Sequence, residues 1–383
     1  MKRLRVLFLS HWYPTAENPV AGVFVREHAR AAALNDEVCV LHGAGPKQGM
    51  AGFWQMEEER DPALTAGIPT YRVWHRPKPL PGLTSFLYLW AMLRAASRLR
   101  RSGFRPDVLH AHIYEAGVVA VILGWWWRLP VVISEHSSDF PRRRLPRWQV
   151  WKARFAFGRA TRVLPVSQAL QNGIEQYGIR AKFEIVPNAV DPALFHPPDR
   201  PRAPHGPARL LFVGSLIPVK GVPILLEALA RVRRQRQDWR LDLIGDGVCR
   251  AEYEQLAAEM GLSDHVRFHG RQSKPDVAAW MRQADLFILP SLWENAPCVI
   301  AEAQATGLPV LAAETGGIVE MITPATGRMT PAGDADALAA VIVVMLDSLP
   351  TFDPALITAQ ARRYHLAEVG RQLHELYWRC LNP

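Results

Sequence analysis

The sequence predicts an α/β fold with two doubly wound parallel sheets, and three features carry that expectation. Short apolar runs rich in β-branched and aromatic residues alternate with helix-length stretches, which places parallel strands in a sheet with helices on both faces. The runs fall into two sets. Arg5–Leu9, Val38–Leu41, Tyr71–Trp74, Val108–His110, Val131–Ser134 and Val163–Pro165 form the first; Leu210–Val213, Leu241–Ile244, Val266–Phe268, Leu286–Leu289 and Val310–Ala312 form the second. Between them, "FHPPDRPRAPHGPARL" (residues 195–210) is proline-rich and lacks an apolar period, the composition of a linker. At 383 residues and 49% hydrophobic content, the chain can bury two or three cores. Ligands of such sheets sit outside the carboxyl ends of the strands, and between two such domains also in the cleft.

Composition narrows the class. Cys39, Cys249, Cys298 and Cys380 are far apart and have neither metal-ligand nor redox spacing, so free thiols in a reducing compartment are expected. The apolar run in "MKRLRVLFLSHWYP" is too short for a signal peptide and reads as a buried first strand. "AGVVAVILGWWW", residues 116–127, is too short to cross a bilayer and reads as a core helix. A cytoplasmic protein without a transmembrane anchor is expected. Residues 1–205 hold 28 Lys and Arg against 16 Asp and Glu, a net of +12; the remainder holds 17 against 20, a net of −3, together the +9 of the chain. The excess concentrates in Arg94–Arg105 and in the acid-free run Arg142–Arg162. Such runs serve an anionic lipid surface, nucleic acid, an anionic substrate or a solvated helix face. No nucleic-acid module accompanies them, so no nucleic-acid partner is expected.

The strand ends of the second half carry the chemistry. Lys220 follows "LLFVGSLIPV" on a strand-to-helix loop, where a lysine meets phosphate well; an ordinary surface lysine is the other reading. Gly245–Gly247 let a ligand approach the backbone or simply make a tight turn. In "SLWENAPCVIAEAQATGLPV", Pro297 suits the first turn of a helix whose positive end favours an anion. Glu294 precedes that helix and Glu302 lies within it. Two carboxylates facing a diphosphate would repel it. They are better used on hydroxyls flanking it, because a carboxylate accepts hydrogen bonds from vicinal OH groups. One carboxylate on each side of a phosphate is what a nucleotide-sugar requires. The triplet Asp334–Asp336 reads as a helix N-cap rather than a metal site.

Over essentially its whole length the chain resembles the retaining GT-B glycosyltransferases of the family-4 type. The motifs are "NPVAGVFVREHARAAA", "DVLHAHIYEAG", "VVISEHSSDF", "VPNAVDPALFHP", "FVGSLIPVKGVPILLEAL", "LIGDG", "VRFHGR", "ADLFILPSLWENAPCVIAEAQATGLPVLAAETGGIVEMI" and "GRMTPAGDADALAAVI". The resemblance implies an acceptor-binding Rossmann-like domain over residues 1–200 and a nucleotide-sugar-binding one over 201–365. It further implies a C-terminal helix over 366–383 that packs back on the first. It assigns Glu294 to the hydroxyls of the transferred sugar, Glu302 to the ribose, Lys220 to phosphate, and His136 to the sugar. The glycine loop maps near Ala21 and Gly22, and a base pocket to His269–Arg271. Donor-side contacts are expected from Ser215, Gly22, Gly245, Gly270, Arg271, Pro297, Cys298 and Val299. His112 and Asn188 are expected on the acceptor side.

Two positions depart from the family pattern: Ser215 stands where an arginine is usual, and Ala21-Gly22 where a double glycine is. The implied activity is transfer of a hexose from a UDP- or GDP-sugar, with retention, to a lipid-linked or surface-polysaccharide acceptor. The chain would work at the inner face of the membrane, without a cofactor or metal. A sugar-nucleotide epimerase and a non-catalytic partner subunit share the fold and stay open at this point. Without the resemblance, His136 equally fits a buried core histidine, and His112 a strand-end residue.

Overall fold

In the computed structural model, which describes residues 2–47, 50, 52–76, 83–199 and 206–382, the chain forms two compact units. Residues 200–205 of the expected linker lie outside the described residues. The first unit runs β1 (Arg5–Ser10), α1 (Val23–Ala33), β2 (Glu37–Pro46), β3 (Trp54–Glu59), α2 (Pro62–Thr65), β4 (Thr70–His75), α3 (Leu83–Arg101), β5 (Val108–His112), α4 (Ile113–Trp127), β6 (Val131–Glu135), α5 (Arg147–Phe157), β7 (Arg162–Pro165) and α6 (Gln168–Glu175). Its sheet has the order β3-β4-β2-β1-β5-β6-β7. The second unit runs β8 (Ala208–Val213), α7 (Val222–Arg233), β9 (Trp239–Ile244), α8 (Arg250–Glu259), β10 (Val266–Phe268), α9 (Lys274–Gln283), β11 (Leu286–Leu289), α10 (Cys298–Ala305), β12 (Val310–Glu314), β13 (Gly327–Pro331), α11 (Ala335–Ser348) and α12 (Pro354–Ala361). Its sheet is β10-β9-β8-β11-β12-β13, all parallel. The last helix, α13 (Leu366–Leu381), belongs to the first unit.

Each strand lies where its apolar run predicts, because a strand covered on both faces must be apolar throughout. Residues Val6–Leu9 and Leu286–Leu289 are almost wholly buried. Two strands have no such run. β3, "WQMEEE", is an edge strand that pairs antiparallel with β4, so the first sheet is not wholly parallel as expected. Its glutamates face water or cations: Arg72 Nε donates to Glu59 at 2.7 Å and Lys47 Nζ to Glu57 at 3.2 Å. Charge on an edge blocks further pairing. β13, "GRMTP", closes the other sheet; Gly327 is required there, since a Cβ would lie 1.9 Å from the Val310 carbonyl oxygen.

The unit boundary falls at Ala189/Val190, about ten residues before the expected one. Val190 and Phe195 are buried in the second core, so this stretch is part of that unit and not linker. The C-terminal segment is likewise no separate piece. Leu366, Val369, Leu373, Leu376 and Tyr377 on α13 share a core with Val25, Ala29 and Ala32 on α1. The two helices touch at Gly370, where a Cβ would lie 2.1 Å from the Ala31 oxygen. His374 Nδ1 meets Asp36 Oδ1 at 2.7 Å, and the Tyr377 hydroxyl meets His110 Nδ1 at 2.6 Å. Asp334 caps α11 through the Ala337 amide, as the sequence suggests.

Leu373→Ala removes a fully buried side chain at the α1–α13 seam. A loss of about 2–5 kcal/mol in unfolding free energy is expected, measured by urea denaturation. An unchanged midpoint would show that α13 is not part of that core.

Candidate active site

The second unit's strand order reverses at β8: β9 lies on one side and β11 on the other. Loops leaving the carboxyl ends of β8 and β11 therefore diverge and open a crevice between them. Both expected residues come to it. Lys220 ends a 3-10 turn, Pro218–Lys220, after β8, and Glu294 lies on the loop after β11. Lys220 Nζ donates to Glu294 Oε1 at 2.5 Å, and Ser291 Oγ donates to the same oxygen at 2.8 Å. The loops are locked through backbone. The Leu292 amide donates to the Val219 carbonyl at 2.8 Å, and the Gly317 amide to the Glu294 carbonyl at 3.1 Å.

Pro297 is the N-cap of α10, one residue before the first turn where the sequence placed it. Its trans backbone at φ −68° and ψ 118° is extended, because a helical ψ would start the helix at Ala296. Cys298 and Val299 form the first turn and are half-buried. Glu302 faces the core side of α10 and is nearly buried; Lys274 Nζ, at the start of α9, donates to its Oε1 at 2.7 Å. Sequence reading missed Lys274. Its signal is "SKPD", a serine cap that fixes the lysine at the first position of a helix.

Gly245 is first of all a packing residue. Its φ is +141°, and a Cβ would lie 1.8 Å from the Gly214 oxygen, so the loops after β8 and β9 meet backbone to backbone. Its amide donates to the Gly270 carbonyl at 2.9 Å, which joins the loop after β10 to the same layer. In the expected base pocket, His269 Nε2 meets Asp242 Oδ1 at 2.7 Å and its ring lies 4.4 Å from Trp280. Gly270 is buried and Arg271 exposed. Ser215 is exposed at the end of β8. After β9, at the start of α8, Arg250 is committed to Glu254 at 2.8 Å and Asp246 at 3.7 Å.

In the first unit the order reverses at β1, between β2 and β5. Gly22 caps α1 at φ +62°, and a Cβ would lie 2.5 Å from the Trp12 carbonyl carbon, so this glycine brings the loop against the end of β1. His112 ends β5 and His136 follows β6; His112 Nδ1 meets His136 Nε2 at 3.2 Å, and the rings stack at 5.4 Å. His28 on α1 joins them, its ring 5.5 Å from both. Sequence reading missed His28, although it lies in the quoted "REHA". His28 Nε2 meets the Pro187 carbonyl at 2.9 Å, which makes Nε2 the donor and leaves Nδ1 a lone pair. His28 Nδ1 and His112 Nε2 are buried without a hydrogen-bond partner. Asn188 hydrogen-bonds His136. Ring nitrogens of His28, His112 and His136 lie within 4.8 Å of one another, the spacing at which three imidazoles can hold a cation. Burial keeps these rings neutral: it lowers His28 to about 4 and His112 and His136 well below the usual value.

Glu135 positions this shelf. Its Oε1 accepts from the His136 and Ser137 amides at 2.9 and 2.8 Å, and its Oε2 from the Tyr114 amide at 3.0 Å. One buried carboxylate thus ties the loops after β5 and β6. Burial pushes Glu135 up to about 8 against the pull of those donors. Ile113, between His112 and Tyr114, sits at φ +63°, a conformation that costs a β-branched residue about 1–3 kcal/mol.

Two α/β units built on mainly parallel sheets are the fold of the GT-B glycosyltransferases. Residues 198–350 match the family described as Glycosyl transferases group 1, and residues 21–194 match Glycosyltransferase Family 4. The D-inositol 3-phosphate glycosyltransferase of Pseudarthrobacter chlorophenolicus is 30% identical over 357 residues, 83% of this chain and 81% of that protein. Amylovoran biosynthesis glycosyltransferase AmsK of Erwinia amylovora is 30% identical over 258 residues, 64% of this chain and 60% of that protein. In fold, the chain is similar to Anabaena HepE, solved in complex with UDP-glucose: TM-score 0.76 at 21% identity, over 98% of this chain and 100% of that one. The chain belongs to the group 1, family-4 glycosyltransferases.

The neutral histidines set a pH dependence. His28 has a folded pKa of about 4 against 6.5 unfolded, so the unfolded state binds more protons between those values. Its contribution to stability is complete above pH 6.5 and is lost as pH falls towards 4, at up to about 1.4 kcal/mol per pH unit. His110 and His112 act in the same direction; Glu135, raised, acts oppositely between 4.5 and 8. In His28→Gln, the slope of unfolding free energy with pH between 6.5 and 4 should flatten by about one proton. Parallel slopes for variant and wild type would show that His28 is charged in the fold.

Proposed function

We propose that this glycosyltransferase is a retaining hexosyltransferase that uses a UDP- or GDP-sugar and an acceptor that is lipid-linked or a growing surface polysaccharide. The observation that carries the reading is the Lys220–Glu294 pair at the second switch point, with the Lys274–Glu302 pair on the helix that follows. A nucleotide-sugar needs a cation for its diphosphate and carboxylates for the hydroxyls on either side, and the two pairs supply both. Lys220 and the positive end of α10 meet the charge that develops on the leaving diphosphate. Glu294 accepts from hydroxyls of the transferred sugar, and Glu302 from those of the ribose. His136 contacts the sugar as a neutral donor or acceptor.

No metal is assigned to the donor site, because the lysine and the helix end do what a divalent ion does elsewhere. The acceptor side belongs to the first unit, with His112 at the end of β5 and Asn188 on the segment after α6. A cavity of about 420 Å³ opens on that edge of the sheet, lined by His11, His75, Phe86, Tyr88, Glu115 and Trp148. Aromatic walls with a few polar groups suit a sugar ring. The relative from Erwinia, an amylovoran biosynthesis enzyme, supports a polysaccharide acceptor. The basic run at Arg142–Arg147, on the loop before α5, supports reversible attachment to an anionic membrane.

Glu294→Ala should abolish transfer. Glu302→Ala should weaken donor binding about 10- to 150-fold, since a hydrogen bond to a charged group is worth about 1.5–3 kcal/mol. Titration calorimetry with UDP- and GDP-sugars, alongside transfer assays, reads both; full activity in the Glu294 variant rules out its role.

Turnover should also survive exhaustive chelation. Loss of activity with chelator, restored by Mg²⁺ or Mn²⁺, would overturn the electrostatic account.

A further inference from the structure

We propose that the layer formed by α3, α4 and α5 lies flat on an anionic bilayer, with Trp125 and Trp126 at the tip of α4 as its anchors. The inference rests on the membrane part of the reading above and not on its donor chemistry. Helices α3, α4 and α5 pack side by side, while α1 and α13 pack with each other. The layer exposes five large aromatics: Trp125 at 85%, Trp151 at 67%, Trp126 at 61%, Phe86 at 59% and Trp148 at 57%. Tryptophan is normally among the more buried residues, and its amphipathic ring favours a membrane–water interface. The body of α4 is buried, as a core helix requires, but Trp125 and Trp126 in its last turn are not.

These aromatics span the layer. Helices α4 and α5 each join parallel neighbouring strands, so they run the same way. Phe86 and Trp148 lie at the carboxyl edge of the sheet, beside the 420 Å³ cavity. Trp125 and Trp126 lie at the other edge, about 20 Å away along the 15 residues of α4.

Charge selects the occupant. Beside Trp126 is a groove of about 540 Å³ lined by Trp90, Arg94, Arg100, Arg101 and Trp127. Arg100 stacks on Trp127 at 4.9 Å and Arg94 on Trp90 at 5.4 Å, which holds both cations at the rim. A second, apolar groove of about 680 Å³ between α4 and α5 carries Arg159. The sequences of α3 and α5 contain no acid, and α4 contains only Glu115, at its opposite end. A second copy of this chain would set the arginines of a two-fold interface against themselves. Anionic phosphate headgroups over an apolar interior match both the charge and the rings.

The test is co-sedimentation with vesicles of phosphatidylglycerol and phosphatidylcholine at low salt, with quenching of tryptophan fluorescence by brominated acyl chains. Wild type should bind and be quenched; phosphatidylcholine alone should bind at least tenfold more weakly. Trp125→Ala/Trp126→Ala should lose at least tenfold in partition, with donor binding and melting temperature unchanged. Equal binding by that variant overturns the proposal. If only replacing Arg142, Arg143, Arg144 and Arg147 with serine releases the protein, the loop is the contact and the layer is not. If wild type ignores anionic vesicles, the membrane reading fails too, while the donor titrations stand apart. A concentration-dependent dimer in size-exclusion that the tryptophan variant abolishes would make a second copy the occupant and overturn the proposal.

Discussion

The reversal of strand order at β8 is the constraint on which the donor-side chemistry depends. Neighbours on both sides leave the loops after β8 and β11 no route except away from each other, and the gap they leave is where Lys220 and Glu294 meet. Closing that gap to a hydrogen-bond distance requires backbone against backbone. At Gly221, with φ +67°, a Cβ would lie 2.1 Å from the Pro290 oxygen; at Gly316 it would lie 1.8 Å from the Glu294 oxygen. No side chain fits at either place, so the position of the carboxylate is set by two residues that have none.

The first unit solves the same problem with a buried carboxyl in place of glycines. Its strand-end loops after β5 and β6 carry histidines, and Glu135 gathers three of their amides. Three backbone amide hydrogen bonds offset the strain at Ile113 and the cost of burying the carboxyl. The result is a shelf of neutral rings with buried, unpartnered nitrogens at His28 and His112. Neutrality matters for the sugar contact proposed for His136: a neutral imidazole can donate or accept, whereas an imidazolium only donates.

Most of this is legible in the amino-acid sequence. Parallel strands between two helical layers announce themselves as apolar runs, and eleven of the strands do so. Two edge strands, β3 and β13, escape, because "WQMEEE" and "GRMTP" carry no apolar run; the other two edges, β7 and β10, keep theirs. The proline-rich stretch misplaces the unit boundary, because prolines mark where a chain stops being regular, not where a core ends; Phe195 sits among them and is fully buried. Lys220, Glu294 and Glu302 are readable because their chemistry is spelled locally. Lys274 and His28 do not stand out, since each acts through a partner distant in sequence: Lys274 reaches Glu302 across 28 residues, and His28 reaches Pro187 across 159. Gly245 shows the converse, a residue whose motif suggests a ligand and whose first duty is to let two loops touch.

The two ion pairs have a consequence for phosphate. Lys220 with Glu294, and Lys274 with Glu302, sum to no net charge, while a nucleotide-sugar's diphosphate brings about two negative charges at neutral pH. Each ammonium has three donors and spends one on its glutamate, so each keeps hydrogens for an incoming oxygen without breaking its pair. The pairing therefore orients the lysines at the expense of their long-range attraction, which the carboxylates cancel. An arginine at the end of β8 would restore that attraction, and Ser215 does not. What remains is the positive end of α10, equivalent to about half a charge, and exposed Arg271 on the loop after β10. In the proposed donor site, capture then depends on short-range hydrogen bonds more than on field, so affinity should rest on the placement of the loops. That returns the weight of the site to the glycines that let those loops meet.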